Sequence, residues 1–175
     1  MLFRSLAGKI LGGWQVTGNH QASSGNPLSV GGGAITSPLG AARLDLVPGV
    51  PIVINPDAPI NFRGIAGGTP YLNKAAFALP PVSPGGRGVI SRLGTLGPLL
   101  PNIRGPYSIG EDLGLWKLFH FDEKRTLELR GVFLNPFNRV GRGDPVTDFS
   151  SPFFGQIIGQ QRGGRNIELS TRFTF

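Results

Sequence analysis

Four runs of this chain repeat with a period of two, and that period restricts the fold more than any other feature. Trp14, Val16, Gly18, His20 and Ala22 alternate with Gln15, Thr17, Asn19, Gln21 and Ser23. Ile109, Leu113 and Leu115 alternate with Gly110, Asp112, Gly114 and Trp116. Leu127, Leu129, Gly131 and Phe133 alternate with Glu128, Arg130 and Val132. Ile167, Leu169, Thr171, Phe173 and Phe175 alternate with Asn166, Glu168, Ser170, Arg172 and Thr174. Successive side chains of a strand point to opposite faces, so each run predicts a strand with one apolar and one polar face. The predicted antiparallel strands lie near 12–24, 107–120, 125–135 and 165–175. Leu113, Leu115, Leu127, Leu129, Leu169 and Phe173 are expected on one face. Asp112, Glu128, Arg130, Glu168 and Arg172 are expected on the other, where opposite charges can pair. Runs of this length also match a tilted membrane-spanning strand, about 9–11 residues.

The connections between the runs sharpen the prediction. The first, residues 25–106, holds SGNPLSVGGGAITSPLG, LPPVSPGGRG and TLGPLLPNIRGP. It has no helical period, and its prolines exclude a central strand through most of it. It is expected to be a large, poorly ordered surface loop, irregular from about 26 to 105; short strand-like pieces are expected near 51–55 and around 154–158. The second connection is a short polar turn around Asp122, Glu123 and Lys124. The third is a loop of about thirty residues running from Asn135 to Arg165. Long, short, long is the loop order of an outer-membrane barrel, with long extracellular loops and short periplasmic turns. Placing the short turn on the periplasmic side brings Trp14, Phe119, Phe121, Phe173 and Phe175 to one level, as an aromatic girdle at a membrane interface requires. Tyr107, Phe133 and Phe137 fall near the opposite level. An aromatic-rich sheet without a membrane plane is the alternative.

Composition excludes several other classes. Glycine (28) and proline (16) make up a quarter of the 175 residues, which rules out a helical bundle or coiled coil. The apolar share of 39% is too high for a disordered chain. No apolar stretch is long enough for a membrane-spanning helix, and MLFRSLAGKILGGW does not read as a signal peptide. With no cysteine there are no disulfides or thiolate sites. His20 and His120 fall on different strands with no ligand-spaced partner in sequence, so no metal site is predicted. Asp144, Asp148 and Ser150 suit either Ca²⁺ or a turn beside Gly143 and Pro145. Adjacent Glu111 and Asp112 point to opposite faces of a strand and cannot act as an acid–base pair. Gly85, Gly86, Arg87 and Gly88 lack the strand and helix that a phosphate loop needs. No enzyme and no cofactor is expected. The net charge of +7 permits an anionic partner. Arg162, Gly163, Gly164 and Arg165 form a single RGG-like element that serves equally as a strand entry, so nucleic acid is not an expected partner. Arg43, Arg63, Arg87, Arg92 and Arg104 in the loops are expected to meet anionic lipopolysaccharide or solute.

The segment GGWQVTGNHQASSGNPLSV resembles the corresponding part of Oar-like TonB-dependent outer-membrane receptors, common in acidobacterial genomes. LNKAAFALPP resembles their N-AF-P loop motif, and NIRGPYSIGEDLGLWKLFHFDEKRTLELRGVFLNPFNRVGRGDP their RGP-to-FNLFN segment. SSPFFGQIIGQQRGGRNIELSTRFTF resembles the family's end, which closes the barrel on a Phe. Four positions depart from the pattern: Val132 stands for an inward Glu, Leu134 and Pro136 make FNLFN read LNPFN, and Gly114 replaces a Ser.

The resemblance implies an all-β fold, an antiparallel transmembrane β-barrel segment of about four strands with long extracellular Gly/Pro-rich loops. Residues 1–175 would be the C-terminal part of a receptor barrel whose plug and earlier strands are absent, since closure needs at least about 8 strands. It implies a place in the Gram-negative outer membrane, as channel wall and ligand-facing loops inactive alone. The partners would be outer-membrane lipid, the barrel-assembly machinery, and TonB only through the missing plug. It implies that Ile167, Leu169, Thr171, Phe173 and Phe175 form the barrel-assembly signal. The ligand is not legible. The alternative function is a secreted or surface basic β-module that binds polysaccharide or nucleic acid.

Overall fold

In the computed structural model of the protein, residues 6–32, 36–37, 40–82, 90 and 92–175 are described. Arg87 and the glycines around it lie outside them. The elements in chain order are helix α1 (Leu6–Leu11), β1 (Trp14–Ser23), β2 (Pro27–Leu28), β3 (Thr36–Ser37), β4 (Gly40–Ala41), β5 (Asp45–Leu46), a 3-10 turn (Lys74–Ala76), β6 (Phe77–Ala78), β7 (Leu100–Arg104), β8 (Ser108–His120), β9 (Thr126–Leu134) and β10 (Asn166–Thr174). The chain divides into two compact units. One comprises Met1–Ala22, Ile109–Val140 and Gly163–Phe175; the other comprises Ser23–Ser108 and Gly141–Arg162.

The first unit is a four-stranded sheet in the order β1-β8-β9-β10. β8 and β10 both pair antiparallel with β9. Along β1 the contacts run backwards against β8. Gln15 meets Trp116, Thr17 lies by Gly114, Gly18 by Leu113, and His20 by Glu111, so β1 is antiparallel as well. Each long strand falls within the span its alternation predicts. β1 starts only at Trp14 because Gly13, at φ 77°, turns the chain out of α1. That helix has no counterpart in the sequence reading. β8 passes to β9 through a turn held by Asp122, whose carboxylate accepts from the backbone of Lys124 (3.0 Å) and Arg125 (2.8 Å) and from the Arg125 side chain (2.6 Å). β9 ends where Asn135 (φ 50°) and Asn138 (φ 52°) adopt the left-handed conformation that Asn tolerates better than most residues. Asn135 then ties the corner together, donating to the carbonyls of Arg139 (2.9 Å) and Gly163 (3.1 Å).

The second unit overturns the expectation of poorly ordered loops. Leu28, Val30, Leu44, Ala58, Tyr71, Leu72, Ala76, Phe77, Leu96, Leu100, Phe154 and Ile157 form a buried core. Phe154 packs edge-on against Phe77 at 5.6 Å and Phe149 at 5.5 Å. Regular pairing is minimal: β2 with β7, β3 with β4, and β5 with β6. Isolated bridges join Val53 to Leu72 and Ile60 to Ile157, within the short pieces expected near 51–55 and 154–158. The Asn73 side chain accepts from the Ala75 amide at 3.1 Å and starts the 3-10 turn that delivers Phe77 to the core. Some of the glycines are required by backbone contact. A Cβ on Gly25 would lie 2.0 Å from the Gly105 carbonyl oxygen, and one on Gly94 would lie 2.2 Å from those of Arg43 and Leu44.

Candidate functional site

The functional surfaces are the two faces of the β1-β8-β9-β10 sheet. Directly opposed residues share a face, so the register sorts them without ambiguity. On one face the rows across β8, β9 and β10 read Leu113–Phe133–Ile167, Leu115–Gly131–Leu169, Lys117–Leu129–Thr171 and Phe119–Leu127–Phe173. On the other they read Asp112–Leu134–Asn166, Gly114–Val132–Glu168, Trp116–Arg130–Ser170, Leu118–Glu128–Arg172 and His120–Thr126–Thr174. All five charged residues expected to share the polar face do so. The alternate residues Ile167, Leu169, Thr171 and Phe173 share the apolar face. That face is uncovered: Leu169 is 77% exposed, Val16 70% and Phe173 52%. From the Leu113 row to the Phe119 row is about 20 Å of strand.

The aromatic residues collect at the turn end of the apolar face. Phe119 and Phe173 occupy one row. Phe121 lies 6.3 Å from Phe173, and Phe175 stacks 6.1 Å from it. Trp14 joins them through Lys117, whose Nζ sits 5.0 Å from the Trp14 ring and 4.8 Å from the Phe119 ring.

These two opposed surfaces, one apolar and bare, the other charged, call for a comparison with known families. The family described as an outer membrane beta barrel domain matches residues 1–168. The chain belongs to this family. It is an outer-membrane protein with an all-β antiparallel fold. No curated protein matches it. No solved structure matches it either.

Within this outer membrane beta barrel domain, two arrangements escaped the sequence reading. Lys117 falls in an apolar row opposite Leu129, yet it is 1% exposed. Its ammonium donates to the carbonyls of Ile10 and Gly12 (2.6 Å), at and just beyond the end of α1. The helix and two ring faces thus supply what water would supply to a lysine. At the other end of the sheet, His20 Nδ1 lies 3.3 Å from Glu111, and Arg139 donates to both Glu111 oxygens at 3.1 and 2.8 Å. His20 therefore has a carboxylate neighbour that its position in sequence conceals. The strand period could have flagged Lys117 as out of phase, but nothing local flags its partners.

The polar face differs from expectation in one respect. Glu128 and Arg172 stand opposite each other in register, yet among the described residues neither makes an ion pair. Exposed pairs of long side chains gain little against water. Arg130 instead lies 5.9 Å from the Trp116 ring. A concavity of about 390 Å³ opens there, lined by Gln15, Trp116, Leu118, Glu128 and Arg130.

Three of the loop arginines bond within their own unit. Arg43 donates to the Leu96 carbonyl (2.8 Å), Arg92 pairs with Asp45 (2.7 Å), and Arg104 donates to the Gly25 carbonyl (3.0 Å). Asp45 is held at about 2, chiefly by the Arg92 hydrogen bonds. Asp148 accepts from the Ser150 hydroxyl (2.7 Å) and amide (2.9 Å), a turn geometry that holds its carboxyl below the usual carboxylate range, while Asp144 accepts from Asn26 (3.1 Å). Among the described residues no group of three His, Cys, Asp or Glu side chains is placed to hold a metal ion.

Proposed function

We propose that this outer membrane beta barrel domain forms part of the channel wall and the extracellular loops of a TonB-dependent receptor of the Oar-like type. The observation that carries the reading is the sorting of the sheet: an uncovered apolar face with aromatic residues at the turn end, and a charged face behind it. In a barrel wall the first meets lipid and the second lines the channel. The Oar-like assignment rests on the ordered motifs from Gly12 to Phe175. On this reading the sheet belongs to a larger barrel, because open edges in lipid leave unsatisfied backbone groups at several kcal/mol each. Its partners are outer-membrane lipid and the barrel-assembly machinery, with TonB engaged through a plug. Its role is transport rather than catalysis, and it needs no cofactor.

Two measurements test this. With single cysteines in the outer membrane, a membrane-impermeant maleimide should label Ser170→Cys, and a lipid-phase quencher should reach a probe on Leu129→Cys. The reverse pattern would remove the channel-wall reading. For the TonB assignment, the receptor that carries this barrel should cross-link to a periplasmic TonB fragment. Absence of the cross-link, with the barrel correctly assembled, would leave an outer-membrane protein of another type.

A further inference from the structure

We infer that the recess lined by Gln15, Trp116, Leu118, Glu128 and Arg130 is a binding site for a neutral saccharide of one or two rings; the inference rests on the polar face lining the channel. Three adjacent strands build it, with Gln15 on β1, Trp116 and Leu118 on β8, and Glu128 and Arg130 on β9. The Gln15 carbonyl oxygen accepts from the Trp116 indole N–H, which fixes the ring and leaves the amide NH₂ of Gln15 as a further donor. Arg130 rests against the same ring at 5.9 Å. Among the described residues, neither Glu128 nor Arg130 is neutralised by an ion pair.

The recess therefore offers a carboxylate that only accepts, a guanidinium that only donates, an amide donor, and apolar surface from the indole and Leu118. Its formal charges cancel. An anion is opposed by Glu128, a cation by Arg130, and an apolar ligand would strand both. Adjacent sugar hydroxyls each donate and accept, and the C–H face of the ring suits indole and leucine. The volume of about 390 Å³ lies toward the low end of the ~300–1,000 Å³ typical of small-ligand sites.

The chain has two tryptophans, so a Trp14→Phe variant in detergent micelles leaves Trp116 as the only indole reporter. Titration with glucose, galactose, mannose, N-acetylglucosamine, maltose and cellobiose should give a saturable fluorescence change with at least one. Calorimetry on the unaltered chain should show the same affinity. Glu128→Gln and Arg130→Gln should each weaken that binding about tenfold, the loss expected for one hydrogen bond to a charged group. No saturable response to any of the six sugars, or an unchanged response in both variants, overturns the site. A response to glycylglycine without one to sugars overturns the saccharide class. If Ser170→Cys is labelled from water while no sugar binds, the channel wall stands and only the site falls. If Ser170→Cys lies in lipid, the channel-wall reading itself fails.

Discussion

Lys117 departs furthest from what its place in the strand would predict. A lysine on the lipid face costs about 2–4 kcal/mol at mid-membrane, less near an interface. Here two carbonyls and two aromatic faces surround it, and it lies one row from the turn-end aromatics. Lys117→Met should keep the sheet and release α1. Hydrogen exchange at Ile10–Gly12 should accelerate at least about tenfold while β8 and β9 amides hold their protection. Equal acceleration in β9 would show that Lys117 holds the sheet rather than the helix. Asp45 makes a second residue-level prediction. Its folded value of about 2 lies below the ordinary 3.8, because Arg92 donates to both oxygens and the Thr95 amide adds a bond of 3.0 Å. A depressed carboxylate contributes stability above its unfolded value, and that contribution disappears as the pH falls from about 3.8 toward about 2. Asp45→Asn should flatten the acid limb of unfolding in that window, measured by near-ultraviolet circular dichroism. Which residues share a face was legible in the sequence, because a period of two needs no partner to be read. The Lys117 and Glu111 environments were not, because α1, His20 and Arg139 come from distant parts of the chain.

At the scale of the element, the four long strands were legible to within a few residues, and for a simple reason. Each spans enough rows for alternation to outweigh exceptions such as Lys117 or Leu118. α1 was not legible, since LAGKIL is too short to establish a helical period. β2 to β6 were hidden too, each being two residues long. β10 carries the sharpest test. It is an edge strand, exposed along its whole length, and is followed directly by the exposed Phe175. Such an edge can be captured by strand addition, with alternate side chains filling pockets. We expect Phe175→Asp, placed in a receptor that carries this barrel, to lower surface levels severalfold and leave unfolded chain in the periplasm, as read by heat-modifiable electrophoretic mobility and surface labelling. Unchanged surface levels would reduce Phe175 to a member of the aromatic band.

For the whole molecule, the glycine- and proline-rich unit, 23–108 with 141–162, holds a buried core. This core was not legible in the sequence because residues such as Leu44, Leu72 and Ile157 come singly, without a period. Their burial depends on segments brought together from far apart. The glycines that suggested a loose loop are required where backbones touch, as at Gly25 and Gly94. Gly94→Ala should therefore cost at least the ~1–3 kcal/mol of ordinary overpacking. Phe154→Ala removes the ring that joins Phe77 to Phe149, and should cost about 3–5 kcal/mol. Limited proteolysis of that variant should open sites in both 23–108 and 141–162 together. Cleavage confined to 141–162 would show that the first insertion stands without the second.

The two insertions are tied by backbone bonds from Gly31 to Thr147 and Phe149, from Asn61 to Ile157, and from Tyr71 to Gly155. During synthesis the earlier insertion must wait for the later one, with the β8–β9 hairpin made in between. The same ties bind the pair in inheritance. A recombination that exchanges one insertion for a relative's, and leaves the other behind, must bring every one of those seams back into register, so the two should be gained, lost and diversified as a single cassette although a membrane hairpin separates them in the gene.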